Sequence, residues 1–168
     1  AIDQADSDEQ APEVGVIRLS KEALFPTTLL LATRTVVHSD SSHPVVAESV
    51  KLIFVTEGWG RLRTGSGTID LAAGSIVALP AGAWCAAEPS RPIAMVTLYL
   101  HSVFAESQVV WMPAVHPLTY HLQVATSGDE AAGALYLGGF AFVVLRPRLV
   151  SLSEHSLKVA DDFAVYAD

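Results

Sequence analysis

The sequence predicts a mainly β domain, a barrel or two-sheet jelly roll, followed by a C-terminal helical annex. Short β-rich runs recur from Val14 to Leu100 with tight turns between them. Beyond His101 the apolar spacing becomes helical. Apolar residues make up 51% of the 168, ample material for a packed core.

In chain order, the expected strands are VGVIRL (14–19), LLLATRTVVH (29–38), KLIFVTE (51–57), GRLRT (60–64), GTIDL (67–71), SIVALP (75–80), AWCAA (83–87) and IAMVTLYL (93–100). Glu57-Gly58, Gly65-Ser66-Gly67, Ala73-Gly74 and Pro80-Ala81-Gly82 supply the turns. SVFAESQVVWM then reads as a helix, with Val103, Phe104, Val109, Val110 and Trp111 sharing a broad face, and PLTYHLQVA as a second short one. Two more helices are expected from Ala131 to Asp168. Arg146-Pro147 marks a helix start or kink, because proline is tolerated in a first turn. The organisation is thus an acidic flexible tail (1–13), a barrel (14–100) and a helical region (101–168).

Composition excludes several classes. The net charge is −8, and Asp3, Asp6, Asp8, Glu9 and Glu13 all precede the first base, Arg18. No basic stripe, zinc-finger spacing, Walker loop or GxGxxG occurs, so this chain alone is a poor nucleic-acid binder. No apolar run approaches the roughly 18 residues of a membrane span. The acidic N-terminus does not read as a signal peptide, and the single cysteine fits a reducing cytoplasm. A mean hydropathy of +0.38 is high, which suggests apolar surface covered by a partner subunit.

The phrase GSIVALPAGAWC, Gly74-x5-Pro80-x-Gly82-x2-Cys85, resembles the second cupin motif, which ends in His. KLIFVTEG resembles the end of the first, where a Glu precedes a glycine by seven residues; that glycine is Gly58 and the Glu position is Lys51. The two motif histidines fall in the region of Val46 and Ala47. The resemblance therefore implies a cupin barrel whose metal ligands are all replaced, with no metal and no cofactor, while the glycines and proline keep their turns.

In that register Lys51, Ile53 and Val55 face the barrel interior. The Lys51 ammonium then needs a partner, Glu48 or a ligand carboxylate, unless it sits at the rim with its head in water. Arg34, within an apolar strand, either clamps a ligand anion or faces solvent. Met95, Thr97 and Tyr99 alternate along one strand, and Trp84 and Ala86 oppose Cys85 and Ala87 on another, so one set lines the cavity. His38 and His43 read as solvated loop residues, or with Cys85 as a site formed by loop fold-over. Cys85 itself suits a small core position. The candidate ligand-binding residues are Arg34, Lys51, Ile53, Trp84, Cys85, Met95, Thr97 and Tyr99.

The order of the segments, barrel, HSVFAESQVVWMP, HPLTYHL and a Leu-rich helical pair, resembles the N-terminal effector-binding and dimerisation domain of AraC/XylS-type transcriptional regulators. The resemblance implies a cytoplasmic homodimer that joins through its C-terminal helices, with Leu149, Leu152, Leu157 and Phe163 at the seam. It implies a small effector, apolar, aromatic or carboxylate-bearing, and DNA binding only through a domain outside this sequence. A stand-alone cupin enzyme, a dioxygenase or isomerase, and a ligand-free interaction module are the alternatives.

Overall fold

The computed structural model describes residues 15–129 and 133–166, with side chains to residue 156. The acidic tail expected over 1–13 lies outside the described residues. The elements are β1 (Ile17–Leu19), α1 (Lys21–Leu24), β2 (Leu30–Val37), β3 (Val45–Ala47), β4 (Val50–Glu57), β5 (Trp59–Thr64), β6 (Gly67–Ala72), β7 (Ser75–Leu79), β8 (Trp84–Pro89) and β9 (Ile93–Leu100). The annex follows with α2 (Ser102–Trp111), α3 (Pro117–Thr126), β10 (Leu135–Tyr136) and α4 (Gly139–Tyr166). Each strand expected from the sequence is present, several with shorter bounds. Strands β3 and β10 and the single turn α1 are additions.

The strands form two five-stranded sheets, ordered β1-β3-β8-β5-β6 and β10-β7-β4-β9-β2. Apart from the parallel pair β1–β3, the neighbours run antiparallel. This is the jelly-roll arrangement that the sequence predicts.

The two sheets are buried differently, and their sequences say why. In the first sheet, β5 alternates between exposed and covered positions (WGRLRT), the pattern of a sheet with one wet face. In the second, β7 (SIVAL) is buried at every position and β4 and β9 nearly so. One face of that sheet turns to the barrel interior, where Ile53, Val55, Val77 and Met95 meet Leu62, Leu71 and Ala87 of the first sheet. The other face is covered by the annex. Val50, Ala78 and Leu100 pack on Ala105 of α2 and Leu122 and Ala125 of α3. Phe54, Ile76 and Val96 pack on Leu149 of α4, and the Phe54 ring stacks on Phe142 with centroids 6.0 Å apart. Much of the high hydropathy is thus used inside the chain itself, to bury one sheet on both faces.

Local chemistry starts the helices. The Ser20 hydroxyl accepts from the Ala23 N–H at 3.2 Å and caps α1. His101 Nδ1 accepts from the Val103 N–H at 3.3 Å at the head of α2, and His116 Nδ1 from the Leu118 N–H at 3.2 Å at the head of α3, with Pro117 at its first position. The two helices expected beyond Ala131 are a single one. Helix α4 runs through Pro147, which lacks the N–H that would bond the Val143 carbonyl. That carbonyl lies on a turn whose Val143 side chain is exposed, where water can satisfy it.

The two motif glycines with the tightest surroundings are Gly58 (φ 81°) and Gly74 (φ 95°). A Cβ on Gly58 would lie 2.0 Å from the Pro92 carbonyl oxygen, and one on Gly74 would lie 2.4 Å from that of Leu137. Both the left-handed backbone and the close approach exclude a side chain.

Candidate functional site

A cavity of about 520 Å³ lies between the two sheets. Its walls include Lys51 and Ile53 from β4, Cys85 and Ala87 from β8, and Met95, Thr97 and Tyr99 from β9. Its mouth is the loop 38–43, which carries the exposed His38, Asp40 and His43. The volume falls in the range typical of small-molecule sites.

The dominant feature is Lys51, which is 1% exposed. It springs from the second sheet and reaches across to the first. Its Nζ donates to the Val45 carbonyl at 3.2 Å, to the Ala83 carbonyl at 3.2 Å and to Cys85 Sγ at 3.5 Å. A rim position is thereby replaced by a fully interior one. Glu48, one expected partner, is turned elsewhere: its Oε2 accepts from the Lys21 N–H at 3.0 Å at the start of α1. Among the described residues, no carboxylate pairs with Lys51. The ammonium is hydrogen-bonded but has no carboxylate beside it, an expensive arrangement for a buried cation.

Tyr99 lies opposite Lys51 in the β4–β9 register. Burial pushes its phenol above the ordinary value of 10.0. The nearby Cys85 adds to that rise, and a hydrogen bond with Thr33 opposes it. The phenol is therefore a neutral donor at physiological pH.

Lys51 and Ile53 line one cavity, as the cupin register implies, and Cys85, Met95, Thr97 and Tyr99, the set left open by alternation, line it with them. Arg34 and Trp84 do not join them. Arg34 is exposed on the outer face of β2, beside Phe142, Arg146 and Val150 of α4, because its neighbours in alternation face inward. Trp84 points away from Cys85. The Arg63 guanidinium lies 5.8 Å from its ring centroid, and the residue lines another hollow with Thr64 and Pro80. The loop histidines do fold over the mouth with Cys85 below them. Even so, no group of three or more His, Cys, Asp or Glu residues among the described ones is placed to hold a metal. The residues at the motif's ligand positions do not fit one: Val46 and Ala47 carry no donor atom in their side chains, and Lys51 Nζ is engaged as a hydrogen-bond donor to two carbonyls and Cys85 Sγ.

The proposed seam residues separate. Leu149 is 8% exposed and packed into the chain's own core. Leu152 is half-buried along a groove with Leu24 and Leu30. Leu157 and Phe163 lie outside the residues whose side chains are described. The cavity residues that sequence reasoning did not name include Thr35, Val37, Leu62 and Ser39 to Ser42. The alternation of TRTVV offered a signal for the first two, and the fold-over read as one alternative for His38 and His43 is the one that brings loop 38–43 to the cavity.

No protein-family model matches the chain, and no curated protein matches it. Among solved structures, apo ToxT K231A from Vibrio cholerae superimposes with a TM-score of 0.53 at 15% identity, over 79% of this chain and 53% of that one. Wild-type ToxT with an unsaturated fatty acid bound gives 0.41 at 15% identity, over 55% and 36%. A cupin 2 conserved barrel domain protein from Leptotrichia buccalis gives 0.41 at 21% identity, over 44% and 36%. The fold, a two-sheet jelly roll with a helical annex, is thus shared with ToxT over most of this chain. The chain spans 53% of the length of the ToxT chain.

Proposed function

We propose that this chain is the ligand-sensing and dimerisation part of a cytoplasmic transcriptional regulator, and that its barrel takes a small organic acid with an apolar body. It acts by binding, not catalysis. The observation that carries the reading is the Lys51 ammonium, buried, without a carboxylate partner and facing an otherwise largely apolar cavity. A guest carboxylate would supply the missing counter-charge in a charge-assisted hydrogen bond, taking over the N–H now given to Cys85 Sγ, the longest of the three contacts; Tyr99 lines the same cavity. Ile53, Ala87 and Met95 suit the hydrocarbon part. ToxT holds an unsaturated fatty acid in one of its structures; the reading for this chain rests on its own lysine.

Binding would bias the helices that cover the back of the same sheet, and through them a homodimer and the DNA-binding part of the whole protein. Exposed Val110, Trp111 and Val115 near the end of α2, together with Phe140 and Val143 of α4, offer apolar surface for a second copy. Among the described residues no helix is long and apolar enough to cross a membrane.

The test is a thermal-shift series with fatty acids and aromatic acids, each beside its alcohol or amide. Acids are expected to raise the melting temperature, since a guest at a hundred times its dissociation constant adds about 2.7 kcal/mol by mass action. Lys51→Met should abolish the shift for acids and leave that for neutral analogues. An equal shift for acids in both proteins would overturn the role of Lys51.

A further inference from the structure

Lys51 and Cys85 are more than two walls of one cavity. They come from different sheets, β4 and β8, and their reactive atoms lie 3.5 Å apart across the barrel. Both are buried, at 1% and 8% exposure, so neither contact is loosened by bulk water. The cavity that both line continues to the exposed loop 38–43, which gives a small polar oxidant a path to the sulfur. A sulfenic acid condenses with a nearby thiol or nitrogen nucleophile, and Lys51 Nζ is a nitrogen within reach of Cys85 Sγ.

We propose that Lys51 and Cys85 form an oxidation-responsive pair, which hydrogen peroxide joins into a sulfur–nitrogen crosslink between the two sheets. As in any thiol oxidation, the nucleophile is the thiolate, here that of Cys85 with Lys51 Nζ beside it. The thiolate attacks one peroxide oxygen, the O–O bond breaks, and the products are the Cys85 sulfenic acid and hydroxide. Hydroxide takes a proton from the Lys51 ammonium and leaves as water. The freed Nζ lone pair attacks Sγ, the S–O bond breaks, and the departing oxygen leaves as a second water with a proton from nitrogen. The sulfur is oxidised by two electrons and the peroxide reduced by two. Thiol reductants reverse the crosslink by attacking the S–N bond.

The crosslink ties the sheets together covalently and removes the ammonium that an acidic guest needs. Oxidation therefore couples two effects: the barrel stiffens, and acid binding is lost. The chemistry itself requires no guest, so this inference and the ligand reading fail separately.

The experiment exposes the whole chain to hydrogen peroxide and digests it, without reduction, with a protease that spares lysine. The expected result is that the Lys51 and Cys85 peptides are recovered as one species, two hydrogens lighter than their sum, and separate again on treatment with dithiothreitol. Cys85→Ser should prevent the crosslink, and Lys51→Arg should divert Cys85 to forms that carry added oxygen. Separate peptides with oxygen added to Cys85 in the unmutated chain would overturn the proposal. So would an unmodified Cys85 at a peroxide dose that has already oxidised Met112. The unmutated chain decides the matter even if a variant fails to fold.

Discussion

At the scale of single residues, the barrel interior turns on a few polar groups among apolar ones. The sequence made Lys51 legible because the glycine–proline frame fixes its register, and register fixes which way a strand residue faces. It made Arg34 and Trp84 illegible for a related reason. Alternation divides a strand into two sets but does not say which set is inside; that choice belongs to neighbouring strands. Once Lys51 donates to Cys85, the face of β8 is settled and Trp84 falls on the other side. Tyr99 carries a pH prediction. Its phenol is raised above 10.0 in the folded chain, first by burial and then by Cys85. The unfolded chain therefore gives up that proton at a lower pH than the folded one, so Tyr99 contributes stability below pH 10.0 that is lost as pH rises from there through the raised value. Urea unfolding followed across that alkaline range should show a smaller loss in Tyr99→Phe than in the unmutated chain. Equal losses would contradict the assignment.

Among the elements, the long strands were the most legible, and the reason is burial on two faces. Continuous apolar runs in KLIFV, SIVAL and IAMVTLYL predict strands with nothing exposed, and the structure covers both sides of them. Strands β3 and β10 and helix α1 have 3, 2 and 4 residues, too few for any period to declare itself. The helix start read at Arg146-Pro147 is absent, because the packing of Leu145, Leu149 and Val150 on the sheet outweighs the lost hydrogen bond and the clash of the proline ring with the preceding turn. Truncation of Phe54, which is 3% exposed and stacked on Phe142, should cost about 3–5 kcal/mol. Chemical denaturation of Phe54→Ala measures it. Gly58→Ala should cost more than the roughly 1–2 kcal/mol of a left-handed residue alone, because its Cβ would collide with the Pro92 carbonyl. Gly82→Ala, at a similar φ of 84° but with open space around its Cβ, should cost only the conformational part.

The whole molecule behaves as a sheet held between a cavity and a set of helices. Removing α4 would strip Phe54, Ile76 and Val96 of their cover, so a chain cut before Gly139 should be aggregation-prone and lose its cooperative melting transition. A soluble, cooperatively melting truncation would show that the barrel stands alone. One contact at the mouth has a different kind of consequence. The Ser42 N–H donates to the Ala87 carbonyl at 2.9 Å, and the Ala87 N–H donates to the Ser42 hydroxyl at 2.8 Å, so the loop over the opening is pinned to β8 through Ala87. For the guest proposed above, release would require that fastening to part, and its dwell time would then depend on Ser42 as much as on the walls. Ser42→Ala should shorten the dwell while leaving the preference among guests unchanged, and stopped-flow displacement would time it.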